Sequence, residues 1–170
     1  MADVFSRAKR SQVMAAIASK NTKPELLVRQ VLRLMGLRYR LHVTALPGKP
    51  DIVIARLATV LQIKGCFWHG HYCLGGRVPA TNKDYWRGKI QSNRSRDLRN
   101  ERKLRAMGWH VKSLWECSIR RSTASKLLER LIKATGSTRN RYEALKARRA
   151  LDLSRMDDAV RSMRVRRRAP

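Results

Sequence analysis

The residues best able to do chemistry are concentrated in one segment, residues 65–73, which reads GCFWHGHYC. Two of its side chains are cysteines, two are histidines, and a Phe-Trp pair separates the first cysteine from the first histidine. Thiolate sulfur and imidazole nitrogen are the ligands that zinc prefers in proteins. The segment directly follows Gln62-Ile63-Lys64, and Asp51 lies a short distance earlier. We therefore expect a metal-binding loop beside a second group of polar residues.

The spacing within this loop suits a single zinc ion. Cys66, His71 and Cys73 give the pattern C-x4-H-x-C, which a loop can wrap around one ion. Cys117 follows a strand-like segment and could supply a fourth ligand, making a closed Cys3His site of the structural kind. His69 is a further candidate, but a structural site rarely needs a fifth ligand. The alternative is three buried cysteines that bind nothing, with the histidines in solvent.

The number and setting of the cysteines bear on their chemistry. Three is an odd number, and the sequence has neither a secretory signal nor an apolar run of about eighteen residues. We expect a cytoplasmic, nucleoid-associated chain in which the thiols bind metal rather than form disulfides.

The second polar group has the composition of a hydrolytic site. Cleavage of a phosphodiester needs a hard cation, a water made nucleophilic and neutralisation of charge at the phosphate. Asp51 would bind Mg²⁺, Gln62 would add a neutral oxygen near the metal, and Lys64 would orient water or neutralise charge. The alternatives are an ordinary turn residue after Pro50 for Asp51 and a solvated strand end for Lys64.

The charge of the chain indicates a polyanionic partner. Thirty-nine Lys and Arg face twelve Asp and Glu, for a net charge of +27 over 170 residues. A membrane partner is not expected, because no Lys-rich amphipathic helix carries a bulky apolar face. An RNA-coating protein would have the same charge, but the metal loop and the Asp…Gln-x-Lys pattern favour an enzyme acting on nucleic acid.

The periodicity of apolar residues predicts an α/β domain. A helix should begin at Thr22, with Glu25 completing a capping box, and should stop at Gly36. Further helices are predicted over 83–107 and 123–134, and strands over 37–43, 51–55, 59–64 and 109–116. If the second and third strands form a hairpin centred on Leu57 and Ala58, Asp51 lies opposite Lys64. Glu25 could also approach that site from its helix, a role that competes with capping.

The two ends of the chain differ from the middle. We divide it into a basic N-terminal arm over 1–20, a catalytic domain over 21–136 and a basic C-terminal helix and tail over 137–170. The tail ends in RVRRR before its last two residues. We interpret it as a nonspecific DNA anchor that adds to the salt dependence of binding.

Five segments, in the same order along the chain, resemble the very-short-patch repair (Vsr) DNA mismatch endonucleases. They are residues 1–4 (MADV), 46–51 (LPGKPD), 65–73 (GCFWHGHYC), 78–81 (VPAT) and 108–117, which begins GW and ends WEC. The resemblance covers roughly residues 1–134. It implies a restriction-endonuclease-like mixed sheet flanked by helices, with a structural zinc site.

The resemblance also implies an activity. Members of this family nick duplex DNA 5′ to the T of a T·G mismatch, the product of 5-methylcytosine deamination, with Mg²⁺. By resemblance Asp51 is the principal magnesium ligand, His69 contacts phosphate or a metal-bound water, and Glu25 assists. The same comparison makes Cys66, His71, Cys73 and Cys117 the zinc ligands.

The resemblance assigns the DNA contacts as well. Phe67, Trp68 and Trp86 match an aromatic wedge that enters the duplex, and insertion is least costly at a mismatched step. Met14, Lys89 and Asn93 match the family residues that read the mismatch from the groove. Without the resemblance, Phe67 and Trp86 would be interpreted as core residues, and Lys89 and Asn93 as a solvated helix face.

One departure from the family pattern concerns the hairpin. The family member compared with this chain has a histidine at the position of Lys64, and it lacks an acid or amide at the position of Gln62. Because a protonated lysine is a poor base, we expect Lys64 to act electrostatically and by positioning water. Gln62-x-Lys64 is closer to the wider PD-(D/E)xK nuclease pattern.

The expected partner is double-stranded DNA with a T·G mismatch, bound by a monomer; mismatch-repair proteins are further candidate partners. Two other functions remain open. One is a PD-(D/E)xK nuclease of different specificity, and the other is a zinc-stabilised DNA-binding protein without activity.

Overall fold

The computed structural model describes residues 20–135, and for Ala124 and Ser125 it describes the backbone alone. The predicted arm, Met14 and the tail from residue 137 lie outside the described residues. The elements are α1 (Lys23–Leu34), β1 (Arg40–Leu41), β2 (Ile52–Ile54), β3 (Thr59–Lys64), α2 (Lys83–Ala106), β4 (His110–Trp115), α3 (Glu116–Arg121) and α4 (Ala124–Thr135), with short 3-10 turns at Ala55–Leu57 and Leu74–Gly76.

The strands form one mixed sheet in the order β1-β2-β3-β4. The first three pair antiparallel, whereas β3 and β4 are parallel and are joined through α2. The parallel register runs from Thr59 opposite His110 to Lys64 opposite Trp115. This arrangement confirms the predicted mixed sheet flanked by helices.

The predicted register of the β2–β3 hairpin is wrong. Ile54 pairs with Thr59 and Ile52 with Leu61, so the register places Asp51 opposite Gln62 rather than Lys64. The cause is the link between the strands, which is a 3-10 turn closed by Ala58 in a left-handed conformation with φ 43°. This four-residue link replaces the two-residue turn that the prediction assumed.

Helices cover both faces of the sheet. On one face Ile52, Ile54, Leu61 and Leu114 pack with the apolar sides of α1, α3 and α4. On the other face Val53, Val60 and Val111 pack against Leu104 of α2. Because side chains alternate along a strand, Gln62 and Lys64 lie on the α2 face with Val60. The polar end of β3 is therefore directed toward α2.

The ends of α1 differ in how well they match the prediction. Thr22 is the N-cap, but its side chain makes no capping bond to the helix backbone; its hydroxyl instead donates to the Glu25 side chain, at Oε1, over 2.8 Å. The predicted capping box is thus not formed in its reciprocal form. At the other end Gly36 has φ 66°, and Leu37 N–H donates to Leu32 O over 3.0 Å, which is a helix stop of the Schellman type.

Two strands are shorter than their apolar patterns suggest. The predicted strand over 37–43 contains only two paired residues, and it ends where His42 takes a left-handed φ of 47°. The strand predicted over 109–116 ends at Trp115, and α3 begins at once with Glu116. Cys117 therefore lies in the first turn of a short helix that the sequence pattern did not predict.

The longest helix is also the most polar one. Of the 24 residues of α2, four are buried: Trp86, Ile90, Asn93 and Leu104. Most of its arginines and lysines are exposed. Within residues 20–135, no helix combines the length and the apolar character needed to cross a membrane.

The central strand provides a test of the core. Leu61 is fully buried between β2 and β4, so we expect Leu61→Ala to lower the free energy of unfolding by about 2–5 kcal/mol. Urea denaturation would measure it. As a control, Leu98→Ala on the exposed side of α2 should change stability by less than about 0.5 kcal/mol. Equal effects of the two substitutions would contradict the packing described above.

Candidate metal centre and active site

The loop after β3 is held close to α2. Its turns are closed by hydrogen bonds from His69 N–H to Gly65 O (3.2 Å) and from His71 N–H to Cys66 O (2.9 Å). Gly70 has φ 62°, and a Cβ there would come within 2.7 Å of the Ile90 side chain. Only glycine satisfies both the left-handed backbone and the close approach. The loop can therefore place its side chains directly beside the helix.

The four predicted zinc ligands are brought together. The ligand atoms of Cys66, His71, Cys73 and Cys117 all lie within 4.8 Å of one another. Around a tetrahedral zinc ion with bonds of about 2.0–2.3 Å, such atoms would be roughly 3.5–3.8 Å apart. Small side-chain rotations would close the difference. The cluster can hold a metal ion, and its three thiols and one imidazole match the donors that zinc prefers.

The protonation of the thiols reflects their surroundings. When no metal is bound, burial raises the pKa of the Cys66 thiol to about 12. The hydrogen bond with His71 lowers the pKa of Cys73 to about 6. Cys117 N–H donates to Cys66 Sγ over 3.4 Å, and the His71 ring stacks on Trp115 with centroids 4.3 Å apart. A cation would give the buried thiol the counter-charge that it lacks.

Asp51 lies directly before β2, and its side chain is fixed. Ile63 N–H donates to its Oδ2 over 2.7 Å, so the carboxylate is tied to the neighbouring strand. Burial raises the pKa of Asp51, and the charge of Glu25 raises it further; the bond from Ile63 and the charges of His42 and His69 oppose this. The environment of Asp51 thus favours binding of a positive ligand.

Gln62 shares this end of the hairpin. Its side-chain oxygen Oε1 is buried and, among residues 20–135, has no hydrogen-bond partner. Burying an unpaired carbonyl oxygen is costly, and a bound cation would satisfy it. Asp51 and Gln62 therefore offer two hard oxygen donors, the type that Mg²⁺ prefers.

Asp97 of α2 joins the site, a residue that the sequence analysis did not identify. Its Oδ2 accepts a hydrogen bond from His69 Nδ1 and lies 3.6 Å from Lys64 Nζ. Burial opposes ionisation, but the bond and charge of His69, with the charges of Lys64 and Arg96, hold the pKa of Asp97 below its usual value. The sequence indicated this role only weakly. Asp97 is one of few acidic residues, and it lies four residues after Asn93, on the same side of α2.

Glu25 belongs to a buried network of its own. Its two oxygens accept from the Thr22 hydroxyl, from Asn21 N–H over 3.1 Å and from Arg29 Nη2 over 2.8 Å. Both Glu25 and Arg29 are about 4% exposed. His42 Nε2 lies 3.9 Å from Glu25 Oε2, and His42 N–H donates to Asp51 O over 3.4 Å. This network adjoins Asp51 through His42.

The predicted wedge residues form one aromatic cluster. The ring of Phe67 meets Trp68 and Trp86 edge to face, each with centroids 5.1 Å apart. Trp68 and Trp86 are 6.1 Å apart, and the exposed Tyr85 meets Trp86 at 5.1 Å. Phe67 and Trp68 are half-buried, whereas Trp86 is buried. The cluster therefore begins at the surface and continues beneath it.

The two helix residues assigned to mismatch reading have different settings. Lys89 is exposed on α2. Asn93 is 8% exposed; its Nδ2 donates to Trp68 O over 2.9 Å, and its Oδ1 accepts from Arg96 over 3.1 Å. In this structure Asn93 anchors the loop backbone next to His69.

Comparisons with a family model and with individual proteins point to the same family. The model of the family described as DNA mismatch endonuclease Vsr matches residues 2–75. The chain is 45% identical over 134 residues to the type II nicking enzyme V.NmeAIP of Neisseria meningitidis serogroup A, covering 78% of this chain and 96% of that protein.

Two further relatives agree. The type II nicking enzyme V.XorIIP of Xanthomonas oryzae pv. oryzae is 47% identical, covering 70% of this chain and 88% of that protein. The DNA mismatch endonuclease Vsr of Escherichia coli K12 is 41% identical over 134 residues, covering 77% of this chain and 86% of that protein. With the metal-binding cluster and the mixed sheet, these matches show that the chain belongs to the Vsr family of DNA mismatch endonucleases.

Proposed function

We propose that this protein nicks duplex DNA 5′ to the T of a T·G mismatch by magnesium-dependent hydrolysis, as a step of very-short-patch repair. The observation that supports the chemistry is the register of β2 with β3, in which Asp51 lies opposite Gln62. Ile63 N–H tethers the Asp51 carboxylate, and the buried Gln62 Oε1 has no hydrogen-bond partner within residues 20–135. The mismatch specificity is supported by the family and by the name of the Escherichia coli relative.

The magnesium site would consist of Asp51 and Gln62. Both side chains offer oxygen, one of them charged, and neither would need to leave its strand. A bound magnesium ion would supply a hard positive charge at the scissile phosphate and favour ionisation of water. Glu25 would add negative charge behind Asp51, which strengthens attraction for the cation.

His69 and Lys64 would handle the proton and the phosphate charge. Because His69 Nδ1 donates to Asp97, the neutral ring carries its free lone pair on Nε2, which can accept a proton from water. Lys64 is held by Asp97 at 3.6 Å and lies 6.0 Å over the Trp115 ring. From there its ammonium group would offset negative charge at the phosphate.

The aromatic cluster would select the substrate. Phe67 and Trp68 are half-buried on the loop that carries His69, and Trp86 supports them from α2. Entry of these rings between base pairs costs a few kcal/mol, and the cost is lowest where pairing is already weak. Lys89 of α2 and Met14 of the arm are proposed to read the mismatch itself, together with Asn93.

The first test is a nicking assay with magnesium. Labelled duplexes carry one T·G mismatch in varied flanking sequences or are fully paired. We expect wild-type protein to nick 5′ to the mismatched T. Asp51→Asn keeps the side-chain shape but removes the charge, so its rate should fall by at least about two orders of magnitude.

A matched control for that experiment is Glu129→Gln, which neutralises an exposed carboxylate on α4 and should keep the wild-type rate. Cleavage that ignores the mismatch would replace the proposal with a PD-(D/E)xK nuclease of other specificity. Tight binding without cleavage in any flank would favour a DNA-binding protein.

Lys64 gives a second prediction. Removing its charge in Lys64→Ala should lower the single-turnover nicking rate roughly tenfold, the effect of losing one charge-assisted contact. Lys133→Ala, at an exposed position of α4, is the control. A Lys64→Ala rate within twofold of wild type would rule out an electrostatic role for this residue.

The metal cluster gives a third prediction. Purified protein should contain about one zinc per chain, measured by elemental analysis, and Cys117→Ser should lose the metal and melt at a lower temperature. Ser118→Ala, the next residue on α3, should do neither. Metal-free wild-type protein whose melting is insensitive to added zinc and to chelators would show that the cluster is an unliganded thiol group.

A further inference from the structure

Arg29 is a buried cation with no role in the proposed chemistry. Its side chain is 5% exposed, and it lies on α1, one turn after Glu25. A buried arginine is costly unless its donors are satisfied, and here the terminal nitrogens are satisfied whereas Nε has no partner within residues 20–135. Its Nη1 donates to Asn21 Oδ1 over 2.6 Å, and its Nη2 donates to Glu25 Oε2 over 2.8 Å. This guanidinium group therefore fixes two neighbours at once.

A third neighbour connects Arg29 to the reaction centre. Arg29 Nη2 lies 3.3 Å from His42 Nε2; since arginine only donates, this contact needs His42 Nε2 as the acceptor. The backbone N–H of the same His42 donates to Asp51 O. A continuous path of contacts thus runs from Arg29 through His42 to the residue proposed to bind magnesium.

The backbone around Arg29 is adapted to these contacts. Asn21 and His42, its two partners besides Glu25, both have left-handed φ angles, 55° and 47°. Such angles are unfavourable for residues other than glycine and persist where the surrounding structure fixes them. Both side chains are directed onto the same guanidinium group. Two of the five non-glycine residues with left-handed φ in residues 20–135 are therefore partners of Arg29.

We propose that Arg29 is a positioning residue of the nicking reaction, which holds the Glu25 carboxylate in place beside Asp51. The inference rests on the proposed function and extends it to a residue that would touch neither DNA nor metal. Arginine suits this task because its planar fork reaches acceptors in several directions, whereas lysine offers a single point of charge.

The test is a double-mutant cycle on the full-length, zinc-loaded protein. The four proteins are wild type, Glu25→Gln, Arg29→Met and the double variant. Two quantities are measured: the dissociation constant for magnesium alone, by calorimetry without DNA, and the single-turnover nicking rate. Arg33→Met makes the same change at an exposed position of α1 and serves as the control.

We expect Arg29→Met to weaken magnesium binding and nicking by about tenfold to a hundredfold, the usual effect of losing a residue that orients a ligand. If Arg29 acts through Glu25, the double variant should be no worse than Glu25→Gln alone. Arg29→Lys keeps the charge without the fork and should stay defective. Additive losses, a wild-type-like Arg29→Lys or an unaffected Glu25→Gln would each overturn the inference.

A milder variant covers the case in which Arg29→Met fails to fold. Asn21→Gly keeps the left-handed backbone and the backbone N–H that donates to Glu25. It removes Oδ1, which accepts from Arg29 Nη1. At this exposed position the fold should persist, with a smaller loss of magnesium affinity and rate. Unchanged values would count against the inference.

The two proposals fail in different ways. A wild-type protein that binds magnesium but does not nick at T·G would reject the proposed specificity, while the magnesium cycle would still report on Arg29. Additive losses in a protein that nicks normally would reject the role of Arg29 alone.

Discussion

The parallel pairing of β3 with β4 determines where both groups of functional residues lie. The strands end in register at Lys64 and Trp115, so the segments after them leave the sheet at the same end. Cys66 and Cys117 each follow two residues later and meet there. The side-chain alternation of β3 directs Gln62 and Lys64 toward α2. A single strand end thus serves the metal cluster and the candidate active site.

The shortage of acidic residues explains the electrostatics of the site. In a chain with net charge +27, the carboxylates near the sheet end are all engaged. Asp97 is shared by His69 and Lys64, and Glu25 is paired with Arg29. Asp51 differs, because its carboxylate accepts a hydrogen bond from a backbone N–H, that of Ile63. Among the carboxylates near the sheet end in residues 20–135, it is the one without a direct cationic partner, which suits a residue that would bind a cation.

The sequence was sufficient for features that depend on residue type and failed for those that depend on backbone geometry. Cys66, His71, Cys73 and Cys117 could be grouped because they are rare residues with few other uses. The strand over 59–64 was predicted to the residue because β-branched and other apolar residues are concentrated in it. The hairpin register depended on a left-handed Ala58, and alanine has no conformational preference that would predict it. Asp97 was missed because its partners His69 and Lys64 lie on other elements. Arg29 was missed because its burial and its contact with His42 depend on tertiary packing.

The loop after β3 has one more consequence, which concerns how freely it can evolve. Trp68 and His69 are consecutive, so their Cα atoms stay about 3.8 Å apart whatever the loop does. Asn93 holds the carbonyl between them. Under the proposed function, a substitution that turns the Trp68 ring toward another lesion would therefore also displace the His69 imidazole. Specificity should then change more easily at exposed positions of α2, such as Lys89, than within the loop.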